Sequence, residues 1–555
     1  MDRKEETVMF KYAKKLVALT LVAVMMMGLL AGCGGGIGGG SSNNASGPKK
    51  LVIKFFKGGY GEDWLYAMAD AFEAAYKDEG YQVEIQVKAS GGNTVAEQEL
   101  KLGPEKNDVD LYFASSVSTH NVLNYSKKVM RDETTPLLEP LNDIYNAPAI
   151  GADKQPESKT IAERTFAGFE DNYLYKGTNE AWKGKIFNLS EFASATGLFV
   201  NTKVLEKYGV SVPNTTDEFA TVVKTISQKG AADGIYPFTW AGNNAPGYWY
   251  YLWENWFAQY SGVEAYNNWV ATMPESGDVK NDGWQVYADK GILEAFKAIE
   301  PLMELDYSAD GAVNFTHTEA QHYLMVGEAA FMVTGDWLLS EMKQDYFQEA
   351  STDVQMVKTP VASVIGTELG ITDAQLSQAV SMIDAGKTNA DIIAAVPGLN
   401  EEGAQRIRDA RGIYTSIGSG LQVMIPAYAD AKEVAKLFVQ FLYSEDGCRI
   451  VRDKAYALVP VTCESYDVSE PTVFLQSVVE TFDNGQATAI FMNTNNSVVR
   501  ATSGMLSFNY SSYCLPNTFK SMMMDKSITA QYIYETELQY VKSNWANWVA
   551  YAGLS

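Results

Sequence analysis

"GLFVNTKVLEKYGVSVPNTTDEFATVVKTI", residues 197–226, decides the fold class. An apolar run of strand character leads into a helix, and a loop carrying Pro213 follows. Thr215 and Glu218 then have the spacing of a capping box that opens a further helix. The same alternation repeats upstream. "KKLVIKFFKGG" (49–59) reads as a buried strand closing on a glycine turn, and "EDWLYAMADAFEAAY" (62–76) places Leu65, Met68, Phe72 and Tyr76 on one helical stripe. "YQVEIQVKAS" (81–90) alternates Val83, Ile85 and Val87, a short helix is expected from about Asn93, and "DVDLYFASS" (108–116) is a third strand. Strands separated by helices predict an α/β fold with a parallel sheet, whose ligands gather beyond the carboxyl ends of the strands.

Those ends are Gly58-Gly59-Tyr60-Gly61, Ser90-Gly91-Gly92-Asn93 and Ala114-Ser115-Ser116, all small or polar. Glycines let backbone N–H groups approach a ligand, and serine and asparagine add compact hydrogen-bonding groups. Tyr60, Asp63, Asn93, Ser115 and Ser116 are therefore candidate ligand contacts from this part of the chain.

The 555 residues are 46% hydrophobic and 20% charged, which suits large folded cores. The net charge of −24 repels phosphate backbones and anionic headgroups, so no nucleic-acid partner is expected. Lys11, Lys14 and Lys15 precede an apolar run from Leu16 to Leu30, suited to a signal-peptide core and short for a membrane span. Leu30-Ala31-Gly32-Cys33 resembles a bacterial lipobox, in which Cys33 is acylated and becomes the new N-terminus. The expected organisation is a leader over residues 1–32 and a flexible Gly/Ser-rich tether over 33–48. The folded part then hangs by its lipid on the outer face of the cell membrane.

Cys448, Cys463 and Cys514 show no metal-site spacing, and one bridge, Cys448 to Cys463, is left open. His317 and His322 are five apart, which does not place both on one helical face, so both read as structural. No metal and no cofactor is expected.

"AGNNAPGYWYYLWENWFAQY" (241–260) concentrates rings. Trp249, Leu252, Trp253, Trp256, Phe257 and Tyr260 recur at the spacing of one helical face and read as core. Trp240, Asn243, Asn244 and Tyr248 fall outside that stripe, leaving them free to face a cleft. Flat rings beside short polar groups match a sugar, whose apolar CH face is edged by hydroxyls. Trp337 beside Asp336 repeats the combination.

Three segments carry a family resemblance. "GLFVNTKVLEKYGVSVPNTTDEF", "GEAAFMVTGDWLLSEM" (327–342) and "GSGLQVMIPAYADAKEVAKLFVQFLYSEDG" (418–447) resemble, in this order, motifs of bacterial extracellular solute-binding proteins of carbohydrate ABC importers. With the lipobox and the opening strand, the likeness covers nearly all of residues 50–555. It implies a two-lobe, periplasmic-binding-protein-like (type II) fold with a hinge and an interlobe cleft. By resemblance, the first lobe takes 49–165 and 413–495, and the second takes 166–360 and 496–555. It further implies that Trp337 contacts sugar, that "FNLSEFASATG" (187–197) lines the cleft through Asn188, Glu191 and Ser194, and that Ser416, Gly418 and Ser419 join from the later crossing. The partners implied are a carbohydrate and the importer's permease subunits, with the protein acting as a monomer.

Residues 361–412 depart from the pattern and read as a small helical insertion, with a Thr372/Gln375 capping box and N-caps at Asn389 and Asn400. "VPGLNEEGAQRI" resembles a helix-hairpin-helix, but Asn400 stands where that motif needs glycine, and the surroundings are acidic. Two functions are weighed: a non-catalytic receptor that captures an oligosaccharide, and a secreted glycosidase using a carboxylate pair such as Glu191 and Asp336, set roughly 5 to 9.5 Å apart. No phosphate loop, nucleophile elbow or HExxH is present in the sequence.

Overall fold

The computed structural model of the protein describes residues 50–89, 92–132, 134–175, 179–418, 421–464, 472–482, 487–491 and 518–551. The expected leader and tether with Cys33, as well as Ser90, Gly91, Ser419, Cys514 and the side chain of Asn93, lie outside the described residues.

Eleven of the strands build two sheets. They are β1 (Lys50–Phe56), β2 (Gln82–Lys88), β3 (Leu111–Ser115), β4 (Leu189–Ser190), β5 (Ala195–Asn201), β6 (Tyr236–Phe238), β7 (Ala329–Gly335), β8 (Val354–Val357), β9 (Ile413–Ser416), β10 (Leu421–Met424) and β11 (Thr488–Phe491). In the first sheet β1 pairs in parallel with β2 and β3, as the strand-helix alternation predicts. β10 and β4 then extend the β3 edge antiparallel, in the order β2-β1-β3-β10-β4. β1 is buried along six of its seven residues, the pattern of a strand covered on both faces. Helix Asp63–Ala75 supplies one cover, and the predicted stripe of Leu65, Met68, Phe72 and Tyr76 is buried.

The second sheet centres on the strand of the opening quotation. β5 is buried at all seven residues and pairs antiparallel with β7, β8 and β9. β6 joins β7 and β11 joins β9, both in parallel. Asn201 caps the helix after β5 by accepting from Val204 N, and Gly209 ends it in the left-handed conformation. Thr215 caps the next helix through Glu218 N, but the Glu218 carboxylate reaches back to Asn214 N instead of Thr215 N.

Sheet membership differs from the expected lobe division in two places. β9 and β11, expected with the first lobe, bond into the second sheet, and β4, expected with the second lobe, bonds into the first. Strand pairing is the reason: Thr415 and Ser416 meet Thr196 and Ala195, so the chain returns to the first sheet after Ser416 and not before Ile413. The long connection from β10 to β11 is one passage between the sheets, and the other two are short segments, 191–194 and the one that opens at 417–418. They are bonded to each other: Ile417 N donates to Ser194 O at 3.2 Å, Glu191 N to Leu421 O at 2.8 Å, and Ser416 Oγ to Ala193 O at 2.5 Å. At Gly418 a Cβ would lie 2.8 Å from Phe192 O, so only glycine lets the crossings approach this closely.

The insertion folds as four helices, Ser363–Glu368, Asp373–Asp384, Asn389–Ala395 and Glu401–Gly412. The Thr372/Gln375 box is present and Asn400 caps the last helix, but Thr388, not Asn389, caps the third. Thr388 has the extended backbone of a cap, and Asp391 at the third helical position completes its box. Buried Arg411 ties the insertion down, reaching Asp384 at 2.7 Å and Thr359 O at 3.0 Å. The Asn400 side chain occupies its own helix start, and Glu401 and Glu402 follow, so that terminus offers no seat to a phosphate.

The ring-rich helix, Tyr250–Ser261, corrects one expectation. It does not present a single apolar face: every residue from Tyr250 to Gln259 is buried, including Glu254, Asn255 and Gln259. The polar members are satisfied by Tyr266, Ile413 O and Pro360 O respectively. The insertion and β9 cover the side that would otherwise face water.

Cys448 and Cys463 are bonded to each other. Beside them Arg164, 5% exposed, ties Glu157 and Glu445 to Thr462 O (2.9 Å), Tyr443 O (3.1 Å) and Cys463 Sγ (3.0 Å). Replacing Arg164 with Ala leaves these buried acceptors and Glu157 without their cation, and the expected loss is about 3–5 kcal/mol in urea unfolding; an unchanged midpoint would show the cluster to be dispensable.

Candidate functional site

Strand register aims one edge of each sheet at the other. Ser115 and Leu421 are paired on the first sheet, and Thr196–Gly335 and Ala195–Ser416 on the second. The segments leaving these edges, 57–61, 116–119, 191–194, 336–341 and 417–418, build the candidate site.

At its centre is Asp336, fully buried. Its backbone N–H donates to Ala195 O at 3.0 Å, and its Oδ2 accepts from Ala195 N at 3.3 Å. Its Oδ1 accepts the phenolic proton of Tyr60, which comes from the other sheet. A phenol has one proton, so Ser194 Oγ, 2.8 Å away, donates to the Tyr60 oxygen. Burial pushes the Asp336 carboxyl up to about 7, against the pull of Tyr60 and Ala195 N, and pushes the Tyr60 phenol well above its ordinary value. Glu191 is also buried, and desolvation pushes it up to about 8.

Rings enclose this polar centre. Tyr60 lies 4.4 Å from Phe192 and 6.2 Å, edge-on, from Trp337. Trp337 in turn meets Tyr248 at 6.0 Å and Tyr251 at 6.5 Å, and those two tyrosines stack at 5.2 Å. Gly59 permits the contact between sheets: a Cβ there would stand 2.8 Å from Glu341 Oε1 and 3.1 Å from Trp337. At the rim Lys343 holds Asp63 at 2.9 Å.

The predicted residues separate into groups. Tyr60, Asp336, Trp337 and Tyr248 come together, with Ser194 bonded to Tyr60 and Glu191 next to it in charge. Ser194, with φ +50°, and Ser116, with φ +54°, hold a left-handed backbone that side-chain-bearing residues rarely adopt. Asn188, buried, donates to Thr119 at 2.9 Å, and Ser115 and Ser116 lie on the same sheet edge. Ser416 is spent on the crossing, accepting from Gly418 N and donating to Ala193 O.

Trp240 is 1% exposed and, among the described residues, makes none of the ring contacts that surround Trp337. Strand periodicity explains this: Trp240 continues β6 on the face of Phe238, which packs into Phe219, Phe331 and Trp249. Asn243 is exposed and spends its backbone N–H on Phe315 O.

Several neighbours escaped the sequence reading. Glu341 is mostly buried and pushed up to about 7 by desolvation, accepting from Gln321 Nε2 at 2.6 Å. His317, read as structural, stands 3.7 Å from Glu341 and 2.8 Å from the Asn244 amide. The signal for Glu341 was available: it lies four residues after Trp337 and so on the same helical face. His317 is brought in by the long connection between β6 and β7, which no local spacing reveals. Among the described residues, no group of three or more His, Cys, Asp or Glu could hold a metal ion.

The family described as bacterial extracellular solute-binding protein matches residues 58–447. Similar solved structures include a chitin oligosaccharide binding protein, with 14% identity, TM-score 0.55, and coverage of 90% of this chain and 99% of that one. Maltose-bound MalE3 of T. maritima shows 17% identity, TM-score 0.55, and coverage of 89% and 99%. RafE in complex with raffinose shows 13% identity, TM-score 0.52, and coverage of 90% and 99%. No curated protein sequence matches. The family match spans well over half the chain, and these neighbours share its two-lobe α/β architecture: the chain belongs to the bacterial extracellular solute-binding proteins.

Proposed function

We propose that this protein is the receptor of a carbohydrate ABC importer, which traps an oligosaccharide between its two sheets and presents it to the permease without altering its bonds. The observation that carries this reading is the junction of Trp337, Tyr60 and Asp336, where two rings and a carboxylate from different sheets meet. A sugar ring needs such flat faces, and its hydroxyls need such acceptors. The lobes divide at the crossings 191–194 and 417–418, and a ligand drives closure by binding the closed arrangement better than the open one. Glu191, Asp336, Trp337, Tyr60, Tyr248 and Asn188 form the ligand wall. Cys33 carries the lipid anchor, the protein works as a monomer outside the cytoplasm, and the insertion braces the second lobe.

The reading is non-catalytic because both Asp336 oxygens are engaged by Tyr60 and Ala195 N, an arrangement that holds the carboxyl in place rather than freeing it to attack. Incubation with a glycan panel, following tryptophan fluorescence and product formation together, tests this. Saturable quenching without products is expected, and turnover would overturn the reading. Trp337→Ala is expected to weaken sugar binding by about tenfold or more, roughly 1.4 kcal/mol; unchanged affinity removes Trp337 from the site.

The buried carboxyls also set a pH dependence. Asp336, Glu191 and Glu341 titrate near 7, 8 and 7 when folded, against about 4 when unfolded. Between about pH 4 and 8 the native state therefore holds more protons than the unfolded chain, and stability falls as pH rises through that window. Urea midpoints at about pH 5 and 8 check the sign; Asp336→Asn with Glu191→Gln should flatten the slope.

A further inference from the structure

The passage from β10 to β11 carries groups that the ligand site does not use. It leaves the first lobe at helix Glu445–Ala455, which packs on helix Asp63–Ala75. It enters the second lobe at helix Val473–Phe482, whose Ser477 hydroxyl accepts from Met356 N of β8 at 2.9 Å. Between these helices the segment 456–464 is tied into the hinge. Leu458 O accepts from Ala193 N of the crossing at 2.7 Å, Pro460 O from Phe166 N at 3.1 Å, and Thr462 N donates to Arg164 O at 2.8 Å. Phe166 stacks on Phe482 at 5.2 Å, and Ala167 O accepts from Ala489 N of β11 at 3.1 Å. The segment is therefore bonded to residues that touch both lobes.

One covalent bond pins this segment to the first lobe. The Cys448–Cys463 disulfide joins helix Glu445–Ala455 to the far end of the segment, two positions 15 residues apart in sequence with Leu458 and Pro460 between them. Cys448 is fully buried and Cys463 is 8% exposed, so Cys463 is the side from which an attacking thiolate arrives. Arg164 stands beside both sulfurs, with Nη2 3.0 Å from Cys463 Sγ and 4.0 Å from Cys448 Sγ. A guanidinium at that range favours thiolate over thiol, and a thiol of lower pKa leaves faster in disulfide exchange. Glu157 and Glu445 hold the guanidinium in this position and take up part of its charge.

We propose that Cys448–Cys463 is a redox site whose partner is an external dithiol, and that its reduction unlocks the hinge. A thiolate of the dithiol attacks Cys463 Sγ and forms a mixed disulfide as the bond to Cys448 breaks, so that Cys448 leaves as a thiolate beside Arg164. The second thiolate of the dithiol then attacks its own bound sulfur and releases Cys463. Two electrons pass to the protein, the dithiol ends as a disulfide, and its two protons pass to the cysteines or, where a thiolate persists, to solvent. With the bond gone, the segment 456–464 is held by hydrogen bonds and packing alone, and its grip on Ala193 opens locally. The proposal rests on the two-lobe closure read above and adds a control to it, independent of the ligand.

Treatment of the full chain with dithiothreitol, without denaturant, tests this: alkylation of Cys448 and Cys463 reads the reduction, and hydrogen exchange is read at single amides. The folded protein is expected to be reduced, with exchange about tenfold or more faster at Ala193, Phe166 and Thr462 while strands β1 and β5 stay unchanged. A disulfide that resists the dithiol until denaturant is added overturns the proposal, and so does reduction that leaves Ala193 protected. Exchange that rises equally in β1 and β5 also overturns it, because the bond is then a staple of the whole fold. The double variant Cys448→Ser with Cys463→Ser gives a second reading: exchange at Ala193 is expected to match that of the reduced wild type, and protection equal to that of the oxidised wild type contradicts the release. The carbohydrate reading stands or falls separately, with the glycan panel, since no sugar enters this experiment.

Discussion

One buried carboxyl group joins the two halves of this molecule. Asp336 immediately follows strand β7 of the second sheet, is fixed by the backbone of Ala195, and accepts from Tyr60, which arrives on the turn after β1 of the first sheet. A carboxyl in so dry a place is costly unless it is well supplied with donors. The donors come from both sheets, so the group is satisfied only when the sheets are together. Much else follows from that requirement. Gly59 must lack a side chain so that the turn can reach Trp337, and Ser194 accepts a left-handed backbone that lets its hydroxyl meet the phenol.

The crossings make this joint a hinge and not a rigid weld. Two short segments, 191–194 and 417–418, are bonded together between the sheets and held in contact by Ser416 and Gly418, and the connection from β10 to β11 runs beside them, where Ala193 N donates to Leu458 O at 2.7 Å. Interlobe contacts at the Tyr60 turn combine the Tyr60–Asp336 hydrogen bond with the edge-on Tyr60–Trp337 contact, and rotation about the crossings would separate both.

The fold was largely legible in the sequence because it is written locally. β5, its Asn201-capped helix and the Thr215 cap are contiguous, and the apolar periodicity of helix Asp63–Ala75 mapped directly onto burial. The site was legible in part. Tyr60 could be named because it follows the end of a strand, where ligands collect, and Asp336 and Trp337 because a carboxylate stands beside a ring in a segment that resembles a family motif. Trp240 was expected at the cleft on composition alone, and strand alternation sends it into the core with Phe238. His317 depends on tertiary placement of one helix against another, information that residue spacing does not carry. The lobe boundary depended in the same way on which strand edge Ile413–Ser416 would choose, a matter of pairing rather than of propensity.

The most direct measurement of the Asp336 joint is small-angle X-ray scattering of the wild-type chain and of Asp336→Ala at the same pH and concentration, with circular dichroism to establish that both are folded. The account predicts that the variant has a larger radius of gyration, because the sheets swing apart at the crossings. Identical scattering from two folded proteins would contradict it, and would place the interlobe constraint elsewhere.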